Sequence, residues 1–62
     1  MRKTKSNYEK SLNDLYSADD AMYVGQYMKS AKNLLSRGLY GTALRKYDTI
    51  AFNVGFSEWD VK

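Results

Sequence analysis

The chain has 62 residues, with ten Lys and Arg against seven Asp and Glu for a net charge of +3, and it contains no Cys, His or Pro. A chain this short forms one domain and buries only about 60% of the surface its unfolded form exposes. Without Cys or His it has neither disulfides nor the common zinc ligand sets to staple it. Stability must come from helix packing or association with another chain, for which 44% hydrophobic and 15% aromatic content is suited.

The N-terminal Met1–Lys5 carries Arg2, Lys3 and Lys5 with no apolar partner and is expected to be a flexible basic arm. Ser6-Asn7-Tyr8-Glu9 fits a capping box, with Ser and Glu side chains satisfying the orphan amides of a helix start. Tyr8, Leu12, Leu15 and Tyr16 then fall on one helical face, which predicts a first helix over residues 7–16.

Ser17-Ala18-Asp19-Asp20 is a second capping pattern, with two carboxylates where the helix dipole favours negative charge. Ala21, Val24, Met28, Ala31 and Leu35 step onward by three and four residues, and Tyr27 and Leu34 widen the stripe. This predicts one long helix over 18–37. Gly25 interrupts it at a cost of roughly 1 kcal/mol relative to Ala, a cost that close approach of a neighbouring helix would offset.

Gly38 is placed to end that helix in the left-handed conformation. A third helix over 40–53 follows, with Tyr40, Ala43, Leu44, Tyr47, Ile50 and Ala51 as its apolar face and Thr42, Arg45, Lys46 and Thr49 pointing outward. Asn53 and Gly55 are expected to terminate it. The tail, residues 56–62, holds Phe56, Trp59 and Val61 and is expected to form a short turn folded back over the helices. Period-two alternation is missing, so the expected fold is all-α: a three-helix bundle spanning residues 1–62 as a single domain, with the second and third helices as its spine.

Residues 27–50 resemble the hinge of a tetratricopeptide repeat. The resemblance rests on a small residue at Ala31, Gly38 followed two residues later by Tyr40, and Ala43 followed four later by Tyr47. Ser30, Ile50 and Gly55 depart from the family pattern. Its period of about 34 residues fails as well, since Glu9 and Asn13 stand one period before Ala43 and Tyr47. The resemblance implies one helical hairpin and a protein-binding habit, with no particular ligand.

The chemistry of catalysis is missing. There is no His base, no Cys nucleophile and no Gly-rich phosphate loop. Asp14, Asp19 and Asp20 match no calcium loop, and dipole complementation accounts for Asp19 and Asp20. No enzymatic activity, cofactor or metal is expected. A helix-turn-helix reading fits Gly38, Leu39, Leu44 and Tyr47 but fails at Asn33, Leu34 and Arg37.

The expected function is a small protein-binding module, an adaptor or inhibitor that covers a partner surface through Tyr16, Tyr23, Tyr40, Trp59, Arg37 and Arg45. The alternative is sequence-blind nucleic-acid binding through Lys29, Lys32, Arg37, Arg45 and Lys46. Self-association into a homodimer is a further expectation, because nothing else staples so thin a core. No apolar run reaches the length of a membrane span or signal-peptide core, so a cytoplasmic protein without membrane contact is expected.

Overall fold

The computed structural model describes residues 2–60 and is all-α among them. The first helix, α1 (Lys5–Leu15), starts two residues earlier than the capping box predicts. Its cap is Thr4, whose hydroxyl accepts from the Asn7 amide at 3.1 Å, while Glu9 turns away from the helix start. The second, α2 (Ala18–Val24), begins at the expected cap, with Ser17 Oγ accepting from the Asp20 amide at 3.2 Å.

The long second helix does not run through. α2 stops at Gly25, and the amides of Met28 and Ala31 bond three residues back, to Gly25 and Met28, instead of four. A 3-10 turn (Lys29–Ala31) leads into α3 (Lys32–Ser36), which doubles back onto α2. Gly25 explains the fold-back: a Cβ there would lie 2.6 Å from Leu35 Cδ2, so the missing side chain makes room for the leucine. The close approach predicted at Gly25 is therefore made by a residue of the same expected helix. Ala21, Met28, Ala31 and Leu35 are buried as their spacing predicts, whereas Val24 and Tyr27 of the same stripe are exposed where the chain turns.

α3 ends as predicted. Gly38 has φ +74°, with the Gly38 amide donating to Leu35 O at 2.9 Å and the Leu39 amide to Leu34 O at 3.0 Å, the paired bonds of a Schellman motif. α4 (Tyr40–Tyr47) follows, and Arg45 and Lys46 in its last turn complement the dipole.

The expected third helix also divides. Asp48 leaves helical geometry at φ −137°, ψ 66°, and caps α5 (Thr49–Glu58) by accepting the Ala51 amide on Oδ1 at 3.3 Å. The three-helix bundle thus becomes five helices, and Asn53 and Gly55, expected as terminators, lie within α5. The division rotates the apolar face: Ile50 and Ala51 are exposed, Tyr47 is largely exposed, and Phe52 is fully buried in their place. Leu15, expected on the inner face of α1, is also exposed.

α4 is the hub, packing against α1, α3, α5 and the 3-10 turn. Its closest approach is to α1 at Gly41, where a Cβ would collide with the backbone carbonyl of Glu9 and crowd Leu12 Cβ at 2.9 Å. A polar seam flanks this contact. Thr42 donates from its hydroxyl to Glu9 Oε2 at 2.7 Å and from its amide to Asn13 Oδ1 at 3.2 Å, and Arg45 Nη1 donates to Glu9 Oε1 at 2.9 Å. Thr42, expected to face outward, is half-buried in this seam.

The buried core is Ala21, Met28, Ala31, Leu35, Ala43, Leu44 and Phe52, of which Phe52 and Leu35 are the largest fully enclosed side chains. The fold measures 30 × 21 × 14 Å along its principal axes, a flattened form in which helices still pack in two layers about α4. At its far edge Tyr8 gathers the end of α5, with ring centroids 5.0 Å from Phe52, 5.9 Å from Phe56 and 5.3 Å from Trp59. The tail is not the expected separate turn over the second and third helices: Phe56 to Glu58 continue α5, and Phe56 and Trp59 pack on Tyr8 of α1. Val61 lies outside the described residues.

The basic arm also departs from expectation, because Lys5 belongs to α1 and Lys3 reaches α5. Lys3 Nζ donates to Ser57 O at 3.2 Å and sits 5.6 Å from the Phe56 ring centre, a cation at the carbonyl end of a helix. Met1 lies outside the described residues. Among the described residues no helix is long and apolar enough to cross a membrane.

Candidate interaction surface

The break at Gly25 opens a groove. α3 folds back on α2 with only the 3-10 turn between them, and along the crease Met22 stays partly exposed while Met28 and Leu35 lie buried beneath it. Met22, Met28 and Leu35 form the floor, Gln26, Lys29 and Lys32 the rim, around a volume of about 380 Å³. A second groove of about 340 Å³, lined by Tyr27, Met28, Lys29, Ser30 and Tyr47, adjoins it, so Met28 and Lys29 stand between the two.

Its outer wall is fixed by a single bond. Tyr27 Oη donates to Asp48 Oδ2 at 2.6 Å, tying the turn after α2 to the residue that caps α5. That bond, and then partial burial, pushes the Tyr27 phenol up to about 12, so it stays protonated and donating throughout the physiological range. Lys46 Nζ lies 5.5 Å from the centre of the neighbouring Tyr47 ring.

The chemistry of this surface is recognition. An unbranched, polarizable Met floor adapts its shape to an apolar ligand, and the Lys rim supplies mobile point charges. No group of three or more His, Cys, Asp or Glu among the described residues is arranged to hold a metal, and Asp19 and Asp20 sit in the first turn of α2.

The expected binding residues do not form one surface. Tyr16 and Tyr40 pack on each other at 4.6 Å in the α1–α4 region and are half-buried, and burial raises the Tyr40 pKa. Trp59 lies on Tyr8 at the other edge. Arg45 is held by Glu9 and reaches over the Phe52 ring at 5.7 Å. Only Tyr23, 76% exposed, and Arg37 stand free of such contacts among the described residues. Of the cations weighed for nucleic acid, Lys29 and Lys32 share the groove and Lys46 lies beside it at Tyr47, whereas Arg45 belongs to the α1 seam.

Met22, Gln26, Met28, Ser30, Tyr27 and Tyr47 were not marked as binding residues by the sequence. Gly25 was the available signal, a helix breaker inside an apolar stripe that leaves part of that stripe uncovered. No family model, no curated protein and no solved structure matches the chain.

Proposed function

We propose that the chain is a non-enzymatic protein-binding module, acting as an adaptor or inhibitor, and that it receives an acidic, amphipathic segment of a partner along the α2–α3 groove. The observation that carries this reading is the pairing of an apolar floor (Met22, Met28, Leu35) with the rim ammoniums of Lys29 and Lys32. Among the described residues the ion pair is Arg45–Glu9, so neither rim lysine has its charge answered there. Apolar side chains of the partner would enter the floor, and its carboxylates would meet the rim, the arrangement used when amphipathic helices dock in grooves. Exposed Tyr23 and the Tyr27–Tyr47 pair widen the contact with side chains that offer area at low entropic cost.

The helical hairpin about Gly38, which resembles a tetratricopeptide hinge, contributes shape to this reading and no ligand. Nucleic acid is less well served, because the five cations weighed for it do not line one track.

The test uses a fluorescent helical peptide of Leu and Glu, a matched Leu and Gln peptide, and a single-stranded DNA oligomer. Saturable binding of the acidic peptide, weaker binding of the neutral one, and loss of both in a Lys29→Glu, Lys32→Glu double variant of unchanged melting temperature are expected. Binding of the acidic peptide that survives the double charge reversal would remove the groove from consideration. DNA binding stronger than peptide binding, and steeply salt-dependent, would replace the reading with the nucleic-acid one.

A further inference from the structure

The two adjoining grooves differ in chemistry. The first is floored by Met22, Met28 and Leu35, whereas the second is lined by the phenol rings of Tyr27 and Tyr47 together with Ser30. Met28 and Lys29 are common to both. The two rings are open to solvent, Tyr27 at 58% and Tyr47 at 43% exposed. Tyr27 is nevertheless held, because its hydroxyl donates to Asp48 Oδ2 at 2.6 Å. An exposed phenol whose hydrogen bond is already made has its ring left to offer, and a ring fixed beforehand loses little entropy when a ligand packs on it. Tyr47 is the last residue of α4 and directly precedes Asp48, so both rings are anchored at one point of the chain.

We infer that the second groove is a subsite for an aromatic side chain, and that the segment this protein receives carries a carboxylate between an aliphatic residue and an aromatic one. The inference rests on the protein-binding reading and gives the partner a pattern. The aliphatic side chain lies on the Met22, Met28 and Leu35 floor, the carboxylate meets Lys29, and the ring packs against Tyr27 and Tyr47.

Size, charge and ring chemistry select that occupant. The second groove encloses about 340 Å³, and a cavity of about 150 Å³ already accepts benzene. Lys29 lines both grooves, and Lys46 Nζ lies 5.5 Å from the Tyr47 ring centre, so the passage between them favours an anion. Aromatic pairs gain energy beyond the area they bury, and the Met28 thioether also favours a ring. A nucleobase would stack on the tyrosines too, but its sugar and phosphate would leave the adjoining apolar floor unfilled.

Fluorescence anisotropy with the helical Leu and Glu peptide, and with two derivatives in which Phe replaces its first or its last Leu, tests the subsite. One of the Phe peptides should bind roughly 2- to 12-fold tighter than the parent, the range of a single aromatic pair. Tyr47→Ala should erase that gain and leave the parent's affinity unchanged, whereas Tyr47→Phe should keep it. Proton NMR of the wild type reads the same contact without a substitution, as cross-peaks from the Phe ring of the peptide to the rings of Tyr27 and Tyr47. A gain at neither position, or a gain that survives Tyr47→Ala, would overturn the subsite and leave the first groove's reading standing. Failure of the parent and both derivatives to bind would overturn the two together. Oligothymidine that displaces the Phe peptide, and loses its own binding in Tyr47→Ala, would assign the rings to nucleobases instead.

Discussion

Tyr27 and Asp48, 21 residues apart, meet in a 2.6 Å hydrogen bond that joins two interruptions of the helical pattern. Tyr27 lies in the turn where α2 ends, and Asp48 is the residue at which α4 gives way to α5. One carboxylate oxygen takes the phenol while the other caps α5.

This bond makes stability fall on the alkaline side. Tyr27 is held up at about 12 in the fold against 10.0 for an ordinary phenol. Between those values the folded state keeps a proton that the unfolded chain has lost, so its contribution is intact below pH 10 and disappears as pH rises through about 12. Tyr8 and Tyr40, also raised chiefly by burial, act in the same direction. Melting temperature should decline above pH 10, and Tyr27→Phe should flatten that decline while lowering stability at neutral pH. An unchanged alkaline slope in the variant would show that the phenol plays no part.

Glu9 governs the acid limb. The hydrogen bond from Thr42 and the charge of Arg45 outweigh partial burial and hold its carboxyl below the ordinary 4.5. Its contribution is present above that value and is lost as pH falls through the depressed one. Glu9→Gln should therefore be less stable than the wild type at neutral pH, and the difference should shrink in acid. Parallel melting profiles for the two proteins across the acid range would contradict the assignment.

Gly41 and Gly25 are predicted to differ in their tolerance of Ala. At Gly41 the new methyl meets the Glu9 backbone carbonyl, which cannot step aside without moving α1. Gly41→Ala should cost about 1–3 kcal/mol, within the range for overpacking, and urea denaturation would read it. At Gly25 the nearest atom is the end of the Leu35 side chain, which can change rotamer, so Gly25→Ala should cost clearly less. The reverse order would mean that α1–α4 contact is looser than described.

Gly38 is strained for any other residue. With φ +74° the left-handed conformation costs a residue bearing a Cβ about 1–2 kcal/mol, and a β-branched residue more. Gly38→Val should lower the melting temperature more than Gly38→Asn, because Asn tolerates this region. Equal melting of Gly38→Val and wild type would refute the Schellman turn.

Trp59 is the most informative probe of the aromatic edge. It packs 5.3 Å from Tyr8 and 6.5 Å from Phe56, and an aromatic pair contributes about 0.5–1.5 kcal/mol beyond area burial. Trp59→Ala should destabilise the fold while leaving acidic-peptide binding by the folded fraction intact, because the groove lies elsewhere. Its fluorescence should shift on unfolding, which lets the wild type report its own stability.

The all-α character, the cap at Ser17 and the left-handed turn at Gly38 could be read from the sequence, because each depends on residues within a few positions of one another. Capping bonds, helix propensity and the sign of φ are local quantities. The fold-back at Gly25 and the divide at Asp48 were decided by contacts across the chain. Leu35 fills the space that Gly25 leaves open, and Tyr27 anchors the carboxylate that caps α5. Ala21, Met28, Ala31 and Leu35 are buried as their spacing predicts, but Val24 and Tyr27 of the same stripe are exposed at the turn, a choice that periodicity alone does not make. The groove exists because the chain doubled back, and the exposed strip at Ile50 and Val54 because a new helix restarted at a different angle. Surfaces of this kind belong to tertiary structure, since each is what remains after long-range packing has chosen which part of an apolar pattern to cover.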